Sequence, residues 1–257
     1  MDRTIDAFVR LGYLAKAVVY ILIGVLALKV AAGVRGGRIT DQGGALYVVL
    51  RQPFGTTMLI LIAVGLLTYA AWQIGRAFLG RDRHAHEGWG SRALTALRAL
   101  VYGAVGWKAM KLALGLRGGD SGPEPLVREA LNWPFGEWLI VIVGLAVGWY
   151  GVVEIKDAIK GHLEPDLDAP TLRRRAGEWA LHVARAGIGA RGVLLVLLGV
   201  GLVRAAFVHR ASAAGGMDSS LVVLNTLPQG TLLLGAAAAG IFGYGVYQLL
   251  HARYAQV

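Results

Sequence analysis

One spacing of residues occurs three times in this chain, and the fold must accommodate three copies of the segment that carries it. Arg10, Lys16, Tyr20 and Gly24 define the first copy; Arg92, Arg98, Tyr102 and Gly106 repeat it, and Arg185, Arg191, Leu195 and Gly199 repeat it again. The third copy is displaced from the first by 175 residues at every matched position, from Lys16 to Arg191 and from Gln73 to Gln248 alike. A displacement without gaps over that length points to an internal repeat of one structural module.

Each copy runs into an apolar stretch, and here composition decides the solvent. Hydrophobic residues make up 56% of the 257, and the mean hydropathy is +0.55, which favours a lipid-embedded chain over a soluble globule. Absence of cysteine excludes disulfides, thiolate metal sites, iron–sulfur clusters and thiol nucleophiles. A net charge of +10 invites a nucleic-acid reading, but the bases flank apolar runs instead of forming one basic domain. That distribution suits anionic lipid neighbours and no nucleic-acid partner.

Taken in order, the chain predicts an all-α integral membrane protein with six transmembrane helices. Repeat 1 (1–80) has spans near 11–32 and 57–79, repeat 2 (81–160) near 93–116 and 138–155, and repeat 3 (161–257) near 187–207 and 231–250. Between the two spans of each repeat lies a short apolar segment that ends before a proline: GALYVVLRQP, LVREALNWP and the stretch before Pro228. These read as short interfacial helices, with Pro53 suiting the first turn of the span that follows. A further amphipathic segment, near 171–184, places Leu172, Ala176, Trp179 and Val183 on one face and is expected on the cytoplasmic leaflet.

Six spans place alternate loops on opposite sides. With Lys16, Arg98 and Arg191 assigned to the side their helices start from, the side of the N-terminus, the second and fourth inter-span connections and the C-terminus carries sixteen Lys and Arg, against ten on the other side. The positive-inside rule then puts both termini in the cytoplasm of a multi-pass protein of the bacterial inner membrane. Repeats with an even number of spans enter the bilayer in one orientation, so three helical hairpins related by a pseudo-threefold axis along the membrane normal are expected.

The second span of each repeat carries its own stripe: Gly65, Tyr69 and Gln73; Ala146, Tyr150 and Glu154; Gly240, Tyr244 and Gln248. Residues four apart share a helix face. Antiparallel pairing within a repeat therefore predicts layers: a base against Gln or Glu, then Tyr20 against Tyr69, then Gly24 against Gly65, with Tyr102, Gly106 and Tyr150 and with Gly199, Gly240 and Tyr244 in the other copies. Two readings follow. In the first, the layers hold each hairpin together through close glycine contacts and satisfied polar groups, since an unsatisfied polar group in lipid costs about 2–7 kcal/mol. In the second, Lys16, Arg98 and Arg191 form a cationic ring with Gln73, Glu154 and Gln248 that attracts an anion or a lipid headgroup, although bases this close to the helix ends can also snorkel outward.

Other signals are weaker. His84, His86 and Glu87 lie in a charged loop without a fourth ligand, no span pairs two histidines for haem, and Gly144, Gly148 and Gly151 read as a helix contact. Trp89, Trp133 and Trp138 sit where interfacial anchors belong. No nucleophile elbow, phosphate loop or paired intramembrane carboxylate is present, so no catalytic residue, metal or cofactor is expected and the chain reads as a non-enzyme.

The threefold R-x-G-Y-x-A-[KR]-x-V-x-Y-x-x-x-G, with Pro-Phe-Gly opening the partner helix and Tyr-x-x-x-Gln closing it, resembles a family of uncharacterised bacterial integral membrane proteins known only as a domain of unknown function. The resemblance covers nearly the whole chain and implies three tandem two-helix modules, with no substrate, cofactor or catalytic residue to carry over. Repeat 2, which begins Arg92-Ala93-Leu94, loses the Gly-Tyr of the pattern, and repeat 3 has Leu195 in place of the tyrosine. Two functions are expected from these features. The first is a scaffold or accessory subunit of a bacterial membrane complex, contacting anionic lipid headgroups and a protein partner. The alternative is a small transporter or channel for an anion or lipid-like solute along the pseudo-threefold axis.

Overall fold

The computed structural model describes residues 3–79, 89–116, 123–161 and 169–254. Among them every regular element is a helix. In chain order these are α1 (Arg3–Ala31), α2 (Gln42–Leu50), α3 (Gly55–Leu79), α4 (Trp89–Ala113), α5 (Glu124–Ala130), α6 (Gly136–Lys160), α7 (Ala169–Ala176), α8 (Glu178–Val208), a 3-10 turn (Ala211–Ala214), α9 (Met217–Thr226) and α10 (Gly230–Tyr254). Long runs of Ala, Leu, Val and Ile satisfy their backbone groups internally as helix, the arrangement an apolar medium demands.

Five of these helices are long and apolar enough to cross a membrane: Val9–Ala31, Gly55–Gly75, Gly136–Lys160, Glu178–Val208 and Gly230–Tyr254. Helix α4, expected as a sixth span, is 25 residues long but does not reach that apolarity, because Arg92, Arg98, Lys108 and Lys111 interrupt it. The metal candidates His84, His86 and Glu87 lie outside the described residues.

A corner recurs before α3, α6 and α10. Phe54, Phe135 and Gln229 each take a left-handed backbone, with φ of 61°, 64° and 60°. Each follows a proline and precedes the glycine that starts the long helix. A Cβ on Gly55, Gly136 or Gly230 would run into the carbonyl oxygen of Leu50, Ala130 or Asn225 respectively. The prolines therefore sit in the turn and not, as expected for Pro53, in the first helical turn. The short helices that feed these corners are α2, α5 and α9; Asp41 caps α2, its Oδ1 accepting the Gly44 N–H at 2.7 Å.

The surface segment expected over 171–184 divides at Gly177, whose φ of +92° breaks the helix. Trp179 and Val183 consequently belong to α8. On α7, Leu172 is buried while Arg173 and Arg174 are exposed.

The chain divides into two compact units: Met1–Val18, Leu46–Gly118 and Gln248–Val257 form one, Val19–Ala45 and Gly119–Tyr247 the other. In the first, α3 packs along α4 and the start of α1 packs on α3. In the second, α6 packs along α8, α8 meets α10, and the later part of α1 meets α10. Glycine sets the closeness of these contacts. A Cβ on Gly151 would lie 2.6 Å from the Gly192 carbonyl oxygen, and one on Gly199 2.6 Å from that of Gly144. Backbones this close leave no room for any side chain between them.

Candidate functional site

Of the residues in the expected layers Ala146 is exposed, Arg98 and Leu195 are half-buried and the others are buried, but the layers are assembled in a register different from the one anticipated. Within a repeat the first helix crosses its partner at Gly12 and Gly187, where a Cβ would meet Tyr69 and Tyr244 respectively. Gly65 faces Leu11 and Ala15, and Gly240 faces Ala190. Gly24, Gly106 and Gly199 pack instead on the second helix of the preceding repeat, taken cyclically: on Phe242 of α10, on Leu66 and Leu67 of α3, and on Gly144 and Gly148 of α6.

The tyrosines follow the same rule. Tyr102 meets Tyr69 edge-on at 5.3 Å between ring centroids, and Tyr20 meets Tyr244 edge-on at 4.8 Å. These two pairs join successive repeats, while inside repeat 1 Tyr13 also meets Tyr69 edge-on at 5.3 Å. The third equivalent pair would join Tyr150 to residue 195, which is leucine, so the α6–α8 contact lacks it.

In the first unit Lys16 is 1% exposed, and its ammonium lies 4.3, 4.7 and 5.2 Å from the ring centroids of Tyr69, Tyr102 and Tyr13. Three aromatic faces around one desolvated cation form a cage in which each ring's negative face offsets part of the lost hydration. The ammonium donates to the Tyr69 hydroxyl at 3.2 Å, and Gln73 Nε2 donates to the same oxygen at 3.1 Å. Tyr69 therefore joins the base to the amide. Far from snorkelling, the lysine is drawn inward. Tyr13 in turn stacks on His251 at 4.1 Å with 15° between planes. Gln248 is completely buried.

The second unit holds a polar cluster of its own. Arg191 is bonded to Glu154 through its Nη1, a buried ion pair, and its guanidinium lies 5.0 Å from the Tyr244 centroid and 5.7 Å from that of Tyr150. The Lys16–Tyr69 relation thus returns 175 residues later as Arg191–Tyr244. Gln42 Nε2 donates to the Tyr20 hydroxyl at 3.3 Å, tying α2 to the same cluster. Arg185 supplies a further polar contact by donating to the carbonyls of Ala158 and Ile159 at 2.8 and 2.6 Å, closing the C-terminal end of α6.

The structure thus brings Lys16 and Gln73 together through Tyr69, and Glu154 together with Arg191. Arg98 and Gln248 belong to the first unit with Lys16 and Gln73. Sequence reasoning singled out neither Tyr13 nor His251 as site residues; Tyr13 stands in the repeated motif three residues before Lys16, and His251 one turn beyond Gln248, so helical spacing held the signal.

No solved structure matches the chain. It is 29% identical to the uncharacterized protein YxxB of Bacillus subtilis (strain 168) over 252 residues, which span 97% of this chain and 91% of that protein. The family model described as Domain of Unknown Function (DUF1206) matches three times, at residues 11–80, 95–161 and 186–255. With three copies covering most of its length, and each copy holding one base-bearing first helix and one tyrosine-bearing second helix, the chain belongs to the DUF1206 family.

Proposed function

We propose that this protein is a non-enzymatic scaffold or accessory subunit in the bacterial cytoplasmic membrane, spanning it six times as three pseudo-threefold hairpins with both termini in the cytoplasm. The observation that carries this reading is how the buried charge is used. Arg191 is committed to Glu154 and Lys16 to Tyr69 and its aromatic cage, so the polar layer joins helix to helix. Outward faces are apolar: on α6, Trp138, Ile142, Leu145 and Trp149 are each more than 60% exposed. A rigid interior with a large apolar exterior suits a protein that contacts lipid and partner helices. Helix α4 spans in this reading because Arg98 is half-buried and Lys108 lies 5.9 Å from the Tyr47 ring centroid, so neither base need face lipid.

Native mass spectrometry of the full chain in lipid nanodiscs tests the proposal. A second protein retained at fixed stoichiometry supports it. Anion flux through proteoliposomes that Arg191→Ala removes while the helical circular dichroism survives overturns it in favour of transport.

A further inference from the structure

The second helix of each repeat carries one polar residue at the same level: Gln73, Glu154 and Gln248. Only one of the three is a carboxylate. Glu154 neutralises Arg191, the base on the first helix of the following repeat. The same step taken cyclically assigns Gln73 to Arg98 and Gln248 to Lys16, and all four of these residues lie in the first unit. Helix register agrees. His251 stacks on Tyr13, and Gln248 lies one turn before His251 on α10 while Lys16 lies one turn after Tyr13 on α1. Tyr20 meets Tyr244 further along, so the two helices run antiparallel and Gln248 stands level with Lys16.

Two independent features mark this level as a binding site. Gln248 is 0% exposed, yet neither its amide nitrogen nor its amide oxygen has a hydrogen-bond partner among the described residues; Gln73 Oε1 has none either. Buried polar groups left open are costly and uncommon in folded proteins, so a bound group that satisfies them is expected. The charge of the unit is the second feature. Its segments hold thirteen Lys and Arg against four Asp and Glu, whereas the other unit is near balance with thirteen against twelve. Nearly all of the chain's net +10 therefore belongs to the segments of the unit whose polar residues on the second helices are amides in place of a carboxylate.

We propose that the first unit binds a small protonated oxyanion, of which acid phosphate is the type, at the level of Lys16, Gln73 and Gln248. The anion's unprotonated oxygens accept from the Lys16 ammonium and the Gln248 amide nitrogen. Its O–H groups donate to the amide oxygens of Gln248 and Gln73. A ligand with acceptors alone leaves those carbonyls open, which selects acid phosphate over acetate or chloride. In the second unit the carboxylate of Glu154 supplies the same negative charge from within the chain. This goes beyond the scaffold reading, and a bound anion is compatible with either a scaffold or a carrier. The phosphate comes from solution, where the dihydrogen form has both O–H groups, or from the monoester headgroup of a lipid such as phosphatidic acid, whose one O–H meets one of the two amide oxygens.

Thermal unfolding of the full chain in phosphate-free detergent, titrated with inorganic phosphate, acetate or chloride at matched ionic strength, is the test. Phosphate should raise the Tm by several degrees and the other anions should not; binding to the folded state alone produces such a shift. Where free phosphate gives none, nanodiscs with and without phosphatidic acid carry the second arm, a higher Tm and retained lipid mass assigning the site to a headgroup. Gln248→Glu places a carboxylate opposite Lys16, as Glu154 stands opposite Arg191, and should abolish the anion response while keeping the helical content. Gln248→Leu should abolish it too, which keeps the test decisive if the carboxylate variant folds poorly. No anion-specific shift in either medium, as for a site that holds only water, overturns the proposal. So does a phosphate response that survives in both variants.

Discussion

Glu154 on α6 closes on Arg191 on α8, a bond between the second helix of one repeat and the first helix of the next. The pair is buried, and Tyr150 and Tyr244 lie within 6 Å of the guanidinium. Because Leu195 removes the tyrosine pair made at the equivalent contacts, this bond and the facing glycines are what the α6–α8 contact has in its place.

Glu154→Gln leaves Arg191 buried without its counter-charge. Removing one member of a buried pair costs about 3–5 kcal/mol, whereas replacing both by apolar residues is far less costly. Reversible unfolding in detergent should place Glu154→Gln well below wild type and Glu154→Leu/Arg191→Leu close to it.

Tyr69→Phe deletes the hydroxyl shared by Lys16 and Gln73 and leaves both buried donors short of an acceptor. A loss of about 1–3 kcal/mol is expected. Tyr47→Phe makes the comparison, because Tyr47 is only half-buried and its ring lies 5.9 Å from the Lys108 ammonium; the same unfolding assay should show a smaller change.

Glycines in these helices divide by what faces them. A Cβ on Gly151 would sit 2.6 Å from the Gly192 carbonyl, so Gly151→Ala should force α6 and α8 apart and destabilise by about 1–3 kcal/mol. At Gly103 the nearest atom is 3.6 Å away. Gly103→Ala should be neutral or stabilising by up to about 1 kcal/mol through helix propensity. Chemical denaturation of the two variants side by side decides the matter.

Absence of native cysteine makes topology directly accessible. The proposed arrangement puts Arg174 on the cytoplasmic side and Ser212 on the other, both exposed. In intact cells a membrane-impermeant maleimide should label Ser212→Cys and spare Arg174→Cys until the membrane is opened. The reverse pattern would invert the orientation, and labelling of both would remove the span between them.

The threefold recurrence was legible from the spacing of Arg, base, Tyr and Gly, and the family model falls on the chain three times. Apolar periodicity also located long helices, since backbone satisfaction leaves an apolar run few alternatives. What periodicity cannot reveal is the neighbour. It places Tyr20, Lys16 and Tyr13 on one stripe of α1, but the partner of that stripe is chosen by packing among several helices of similar composition. Tyr20 was expected against Tyr69 and lies against Tyr244; Glu154 was expected inside its own repeat and bonds Arg191. The left-handed corner was hidden for another reason. Phe54, Phe135 and Gln229 are poor left-handed residues taken singly, and only their shared place between proline and glycine carries the signal.

The contact of Tyr20 and Gly24 with Tyr244 and Phe242 has a bearing on biosynthesis. These residues emerge from the ribosome more than two hundred positions apart. In the proposed membrane arrangement α1 must therefore wait, its glycine face uncovered, until α10 has been made. Maturation cannot proceed hairpin by hairpin from the N-terminus, and a nascent chain stalled before α10 presents to chaperones and proteases a first helix that is inserted but unmatched.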